Sequence, residues 1–375
     1  MISKTYCNHI SKGMFVSHRG IGLCCINSNK QKSVLPSEFW KGEVRAEALK
    51  KMNAGAHVKG CHHCYRSESN GLNSMRTFGN VYKDLPVKEL PTHLDLDFSN
   101  FCNLKCVMCS AMRSSEWAKD VGQSVSSITT AMIDDLADIS DNVQRICIQG
   151  GEPTIMPEFY HYFSLLDQKG LLKNIELMMI TNATNVNKKF YKLLEKFKKV
   201  RLTVSVDSYQ YANDYIRWPS KFSQIEKNLL EMSELAPNTE VEIFNTINIL
   251  SMFNYYEFLH WCKKIENVFE AKGKLFKIVP MKVETPEKYS PFCAPKNLKD
   301  RFIKDVKLFM KNNNLKHNTA WRTEMSLIMK RISSTPANNE ALNLLITNVS
   351  NLDKQRNIKI TDYIPDFHKY INDGK

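Results

Sequence analysis

Apolar residues follow two alternating patterns between about Pro91 and Val283. Short apolar runs such as "RICIQ", "IELMMI" and "FKIVPMKV" have the length and composition of buried β-strands. Longer stretches such as "FYHYFSLLDQKG" and "KKFYKLLEKFKK" repeat apolar positions every three or four residues, which is typical of amphipathic helices. In the first strand, "HLDLDFSN", Leu94, Leu96 and Phe98 share one face. Six strands separated by helices predict an α/β fold with a parallel sheet or a partial (β/α)6 barrel.

The pattern changes on both sides of this region and predicts three segments. Residues 1–84 form a cysteine-rich block that runs into the proline-containing linker "KDLPVKELP". Residues 85–290 form the α/β core, and residues 291–375 form a helical extension in which "AWRTEMSLIMKRI" is the clearest helix. Within the first block, "NHISKGMFVSHRGIGL" predicts a hairpin that turns near "HRG", and "SEFWKGEVRAEALKKMNAG" predicts a helix.

Composition and charge narrow the class of protein without deciding it. With 43% hydrophobic and 24% charged residues the chain is typical of a soluble globular protein, and no apolar run approaches a membrane span in length. The first residues, "MISKTYCNHISKG", lack the apolar core of a signal peptide. The eleven cysteines therefore indicate metal binding or catalysis in a reducing compartment, by default the cytoplasm. The net charge of +13 permits a nucleic-acid partner, but lysines that alternate with helical apolar stripes favour a solvated basic surface.

Three cysteines lie within the eight residues "CNLKCVMC", directly after the first core strand. Cys102, Cys106 and Cys109 have the spacing Cys-x3-Cys-x2-Cys. A structural zinc site needs four ligands, so His93 or another cysteine would have to complete it. A [4Fe-4S] cluster can instead take three thiolates and leave one iron open for a ligand with adjacent amino and carboxylate groups. The loop follows the carboxyl end of a predicted strand, where parallel βα units carry their functional groups.

These residues resemble the radical SAM superfamily, whose hallmark is a Cys-x3-Cys-x2-Cys loop after the first barrel strand. The resemblance covers roughly residues 94–283 and is strengthened by "GGEP" after the second strand, "TNAT" after the third, "SVDS" near the fourth and "KIVP" at the sixth. It implies a [4Fe-4S] cluster that binds S-adenosylmethionine (SAM) at its open iron. Reductive cleavage of SAM then gives methionine and a 5′-deoxyadenosyl radical, which abstracts hydrogen from a substrate.

The resemblance also implies a set of SAM contacts. The "GGEP" turn would contact the SAM amino group, because glycines let backbone carbonyls approach closely and a carboxylate suits an ammonium group. Ser205 and Arg217 would hold the SAM carboxylate, Asn182 would contact the ribose, and the backbone at Met108 would contact the adenine. The predicted SAM-binding residues are Gly150, Gly151, Glu152, Pro153, Asn182, Ser205, Arg217 and Met108.

Three positions depart from the family pattern. Met108 stands where an aromatic residue commonly precedes the last cysteine, and Ala183 and Ser208 replace glycines that often follow the third and fourth strands. No glutamate or histidine stands out as a general base, so no catalytic side chain is predicted. Cys147 alternates within an apolar strand and is expected in the core, and Cys293 is expected to be a loop thiol.

A second set of cysteines lies in the first block. Four thiolates, from the hairpin and from "CHHC" after the helix, suit either a zinc site or an auxiliary iron–sulfur cluster. The arrangement resembles the twitch domain, a short relative of the SPASM domain, in the subgroup where that domain precedes the core. The resemblance implies an auxiliary [4Fe-4S] cluster on Cys7, Cys25, Cys61 and Cys64. Cys24 is the alternate for Cys25, because adjacent side chains in a strand point to opposite faces.

The prediction is therefore a radical SAM enzyme that abstracts hydrogen from a peptide or a small molecule, in an oxidation or another modification. A reducing partner such as flavodoxin or ferredoxin would supply the electron, and no membrane is involved. The alternative is a non-enzymatic zinc protein that contacts nucleic acid through its basic surface. Modification of RNA is a third possibility, which the charge permits but no RNA-binding motif supports.

Overall fold

A computed structural model describes residues 5–71, 73–78, 82–236, 238–313 and 319–372. The chain divides into two compact units. The first comprises residues 1–102, 111–180 and 192–201, and the second comprises residues 103–110, 181–191 and 202–375.

The first unit is built on a mostly parallel sheet whose strand order is β2-β1-β3-β4-β5. These strands are β1 (Gly13–Ser17), β2 (Gly20–Gly22), β3 (His93–Asp97), β4 (Arg145–Ile148) and β5 (Glu176–Thr181). Strands β1 and β2 form an antiparallel hairpin, as the sequence predicts, and β1 also pairs in parallel with β3. In the register of the parallel strands, Asp95, Cys147 and Met178 lie side by side.

The second unit carries the later strands. Strand β6 (Lys199–Ser205) starts in the first unit and continues into the second, where β7 (Thr239–Ile247) and β8 (Phe276–Lys282) pair in parallel. The six strands predicted for the core are therefore all present, as β3 to β8. The predicted fold class, an α/β parallel sheet of the partial-barrel type, is confirmed.

Helices connect and flank the strands. In chain order they are α1 (Asn8–Lys12), α2 (Pro36–Lys41), α3 (Glu43–Asn53), α4 (His62–Ser69), α5 (Met75–Phe78), α6 (Ser115–Asp120), α7 (Thr130–Asp138), α8 (Pro157–Gln168), α9 (Lys188–Leu194), α10 (Gln210–Ile216), α11 (Phe222–Leu235), α12 (Tyr255–Ala271), α13 (Lys296–Asn312), α14 (Thr319–Ser334), α15 (Asn339–Arg356) and α16 (Phe367–Asn372).

Alternation along the strands separates a core face from a polar face. In the first unit the core face is fully buried and formed by Leu94, Leu96, Ile146, Ile148, Leu177 and Met179. Burial of such side chains stabilises the fold by roughly 1.5–3 kcal/mol each. The opposite face carries Asp95, Cys147 and Met178. Cys147 is only partly buried, so its predicted place in the apolar core is wrong. Successive side chains of a strand point to opposite faces of the sheet, and this alternation assigns Cys147 to the polar face.

Two predicted helices have different limits in the structure. The stretch "SEFWKGEVRAEALKKMNAG" forms two helices, because the chain is extended at Gly42, where a Cβ would lie 2.7 Å from the carbonyl oxygen of Glu38. Helix α9 ends at Leu194 rather than continuing to Lys199, which already belongs to β6. Its start agrees with the prediction, since Asn187 Oδ1 accepts a hydrogen bond from the amide of Phe190. Within the described residues, no helix has the length and apolarity that crossing a membrane requires.

Candidate active site

The Gly150–Gly151 turn follows β4 in the first unit and packs tightly against the chain after β3. Gly150 has a φ of +123°, and a Cβ there would overlap the carboxylate of Asp97. A Cβ at Gly151 would lie 2.6 Å from the carbonyl carbon of Phe101 and closer still to its oxygen. Only glycine fits both positions. Gly150 has a backbone conformation that other residues rarely adopt, and Gly151 has no space for a side chain.

Backbone hydrogen bonds fix this turn against the residues that lead into the cysteine loop. The amide of Gly151 donates to the carbonyl of Ser99 at 3.0 Å, and the amide of Glu152 donates to that of Phe101 at 2.8 Å. The next residue, Cys102, has both backbone groups bonded to the hydroxyl of Ser115, which is fully buried. The position of the first cysteine is thus coupled to the glycine turn.

Glu152 has a local structural role. Its carboxylate is fully buried and accepts hydrogen bonds from the amide and the hydroxyl of Thr154, at 3.1 and 2.7 Å. It thereby caps the short 3-10 turn Pro153–Ile155. Contact of Glu152 and Pro153 with the SAM amino group stays a prediction.

The rest of the cysteine loop, residues 103–110, belongs to the second unit and is held through its backbone. The amide of Lys105 donates to the carbonyl of Trp218 at 2.6 Å, and the amide of Val107 donates to that of Ile216 at 2.8 Å. The amide of Cys109 donates to the carbonyl of Cys106 at 3.0 Å, which closes a turn between the two thiols. The loop is thus fixed by bonds of its backbone groups.

A buried ion pair lies beside Cys106. The Arg217 guanidinium contacts both carboxylate oxygens of Asp207, at 2.8 and 3.1 Å, and its Nη1 lies 4.0 Å from Cys106 Sγ. Burial raises the pKa of Cys106 to about 12, an effect that the Arg217 charge opposes. Burial alone would lower the pKa of Arg217, but the charges of Asp207 and Cys106 outweigh it and hold that pKa above its usual value. A permanent cation next to a thiol favours its thiolate form, which is the form that binds iron.

Asn182, predicted to contact the ribose, bonds to the cysteine loop in the structure. Its amide donates to Asn103 Oδ1 at 2.9 Å, and Asn103 in turn donates to Thr184 Oγ1 at 2.9 Å. Ala183 has a φ of +54°, which explains why a glycine is common at this position in the resembled family. The ribose contact of Asn182 stays a prediction.

For Ser205 and Met108, the two remaining predicted SAM-binding residues, the structure gives the position in the chain and the burial. Ser205 is the last residue of β6 and is buried, and Met108 is half-buried in the cysteine loop. The SAM contacts proposed for Ser205, Arg217 and Met108 remain predictions.

The cysteines of the first block separate into two environments within the first unit. Burial, with smaller contributions from the charges of Cys61 and Cys64, raises the pKa of Cys7 to about 11. Burial likewise raises the pKa of Cys24 to about 12, with added contributions from Cys7 and Cys61. Asn27 links the two segments, because its amide donates to the carbonyl of Cys24 and its side chain donates to Cys61 Sγ at 3.4 Å.

Cys25 has different neighbours. Burial raises its pKa, and the largest charge acting on it is that of Asp95, followed by Cys24 and Cys147. Cys25 thus faces the polar side of the sheet, where Asp95 also accepts a hydrogen bond from Gln149 at 3.0 Å. Cys7 and Cys61 are thus among the charges that act on Cys24, whereas the charges that act on Cys25 are those of Asp95, Cys24 and Cys147.

The donor chemistry of the cysteine loop fits an iron–sulfur cluster. It offers three thiols, a backbone pinned by hydrogen bonds, and a buried cation that offsets thiolate charge. Among the described residues, the structure draws no three His, Cys, Asp or Glu side chains together to metal-binding distance. The assignment of ligands therefore rests on donor type and spacing.

Comparison with known proteins shows what the central part of the chain is similar to. The family model described as "Radical SAM superfamily" matches residues 96–265, which include the cysteine loop and the glycine turn. The match covers less than half of the chain, and the radical SAM superfamily is what these residues are similar to. No sequence relative was found among curated proteins.

Several solved structures are similar to this chain. The structure of anSMEcpe with bound AdoMet has 18% identity and a TM-score of 0.39, covering 58% of this chain and 60% of that one. Streptococcus suis SuiB bound to S-adenosylmethionine has 15% identity and a TM-score of 0.40, with coverage of 84% and 71%. TsrM from Kitasatospora setae, with cobalamin and a [4Fe-4S] cluster bound, has 12% identity and a TM-score of 0.33, with coverage of 52% and 37%. This chain matches about three fifths of the length of anSMEcpe.

The sequence analysis missed three residues that support the cysteine loop. Asp207 pairs with Arg217, Asn103 bonds to Asn182, and Arg356 donates to the carbonyl of Lys105. Asp207 lies in the quoted "SVDS" motif, so its position two residues after Ser205, which has an assigned role, was the available signal.

Proposed function

We propose that the protein cleaves SAM reductively and abstracts hydrogen from a peptide or a small molecule. Cys102, Cys106 and Cys109 would hold a [4Fe-4S] cluster with one open iron. Once bound, the cluster supplies the electron that converts SAM to methionine and a 5′-deoxyadenosyl radical. The proposal is carried by one observation, the pairing of the backbone-pinned thiol loop with the Arg217–Asp207 ion pair beside Cys106.

The residues around the loop would have distinct tasks. Arg217 would offset thiolate charge at Cys106, and Asp207 would keep that guanidinium in place. Gly150 and Gly151 would bring the backbone close to the SAM amino group, since neither position accepts a larger side chain. Buried groups in the site would exclude water from the radical.

The second part of the proposal is an auxiliary [4Fe-4S] cluster on Cys7, Cys24, Cys61 and Cys64. Cys24 replaces Cys25 in this set because Asn27 joins the Cys24 segment to Cys61, whereas Cys25 lies toward Asp95. The cluster would accept or relay an electron, or help to position the substrate. Flavodoxin or ferredoxin is the electron donor we propose.

Metal analysis tests this function. The protein is purified without oxygen, and iron, sulfide and zinc are quantified for the parent and for the Cys102→Ala/Cys106→Ala/Cys109→Ala variant. We expect a brown protein that loses about half of its iron in the triple variant, because each of two cubane clusters holds the same number of irons. A colourless, zinc-loaded protein after iron–sulfide reconstitution would contradict the proposal and favour the zinc-binding alternative.

A further inference from the structure

The end of helix α15 reaches the cysteine loop within the second unit. Arg356, the last residue of α15, donates from Nη2 to the carbonyl of Lys105 at 2.8 Å and from Nη1 to the carbonyl of Tyr215 at 2.9 Å. The guanidinium also lies over the rings of Tyr215 and Trp218, at 5.4 and 5.6 Å from their centroids. One side chain of the C-terminal extension thus joins the loop to the segment after β6.

The end of α15 is itself held in place. Asp353 Oδ1 accepts a hydrogen bond from the Tyr215 hydroxyl at 2.8 Å, and Oδ2 accepts one from the amide of Ile360 at 2.9 Å. The helix then stops at Asn357, which has the left-handed φ of +52° typical of a helix C-cap. Arg356 therefore projects from a fixed turn rather than from a frayed helix end.

Lys105 is clamped through both of its backbone groups. Its amide donates to Trp218, and its carbonyl accepts from Arg356. Since Lys105 immediately precedes Cys106, this clamp sets where the Cys106 side chain starts. Arg356 also places a permanent positive charge next to the residue that precedes Cys106.

We infer that Arg356 is a positioning residue for the cysteine loop, which gives the C-terminal extension a role in holding the cluster. The guanidinium fork bonds two carbonyls at once, and its charge offsets that of the Cys106 thiolate. Lysine would keep the charge, but its compact ammonium cannot reproduce the planar fork. The part of the inference that concerns the cluster rests on the proposed function, whereas the backbone clamp does not.

Hydrogen exchange of the full-length protein without cluster tests the clamp directly. Arg356→Gln and Arg356→Lys are compared with the parent and with Lys354→Gln, a matched control that removes one charge from an exposed position on the same helical turn. We expect the amides of Lys105 and Val107 to exchange at least about tenfold faster in Arg356→Gln, because a charge-assisted hydrogen bond is lost. Arg356→Lys should lie between this variant and the parent, and Lys354→Gln should match the parent.

The same variants with iron and sulfide restored test the effect on the cluster. We expect Arg356→Gln to retain less iron than Lys354→Gln and to have a lower midpoint potential for its loop cluster, because a nearby positive charge has been removed. Arg356→Lys should keep the potential but lose part of the iron.

Two results would overturn the inference: exchange in Arg356→Gln equal to that in Lys354→Gln, or exchange in Arg356→Lys equal to that in the parent. Failure of the proposed function looks different, since the parent itself would then bind no iron through the three loop cysteines. Hydrogen exchange would still report on the clamp in that case.

Discussion

Replacement of Gly151 by alanine should disrupt the start of the cysteine loop. A Cβ there would lie 2.6 Å from the carbonyl carbon of Phe101, whereas non-bonded carbons are separated by about 3.5–4.0 Å. The backbone must therefore shift by about 1 Å, and the hydrogen bond from the Glu152 amide to Phe101 is lost or lengthened. Overpacking costs about 1–3 kcal/mol and the hydrogen bond about 1 kcal/mol, so we expect a loss of about 2–4 kcal/mol in unfolding free energy.

Urea unfolding of the apo-protein measures this cost, with Gly170→Ala as the control. Gly170 has a φ of +67° and no atom within 4 Å of an added Cβ, so that substitution carries only the conformational penalty of about 1 kcal/mol. Gly151→Ala should be the more destabilised of the two and should retain less iron at the cysteine loop. Equal unfolding midpoints together with the iron content of the parent would refute the steric reasoning.

Three further predictions concern other buried groups. Asp207→Asn leaves the Arg217 guanidinium buried without a counter-charge, so it should lower the unfolding free energy by about 3–5 kcal/mol. A loss below about 1 kcal/mol, measured by urea titration, would contradict the pairing. Cys24→Ser should lose the auxiliary cluster's iron whereas Cys25→Ser keeps it, and the reverse result in iron analysis would restore Cys25 as the ligand. Burial raises the pKa of Asp95 from 3.8 to about 6, so the folded state binds this proton more tightly than the unfolded state does. The unfolding free energy should therefore fall by up to about 3 kcal/mol between about pH 4 and pH 6, and this fall should be absent from the pH profile of Asp95→Asn.

The strands and the cysteine loop could be predicted because their signals are local. The alternation of Leu94, Leu96 and Phe98 identifies β3, and the spacing of the three loop cysteines needs no tertiary information. The choice between Cys24 and Cys25 depends on whether the cysteine pair lies in a strand. Strand β2 ends at Gly22, and the chain turns at the cysteine pair, so alternation does not apply there.

Contacts across long stretches of sequence were beyond prediction. Arg356 and Lys105 are separated by 251 residues, and neither stands in a motif that signals the other. The resemblance to the radical SAM superfamily identified Arg217 as a candidate SAM-binding residue. Its ion pair with Asp207 could not be predicted, because it depends on how the segment after β6 folds back. Such contacts are set by packing of the whole unit rather than by local propensity.

The most direct test of the central claim is SAM cleavage by the anaerobically purified protein. SAM and dithionite are added to the parent and to the Cys102→Ala/Cys106→Ala/Cys109→Ala variant, and 5′-deoxyadenosine is quantified. The account predicts that the nucleoside forms with the parent and is lost with the triple variant. Intact SAM with an iron-loaded parent, or equal nucleoside formation by both proteins, would contradict it.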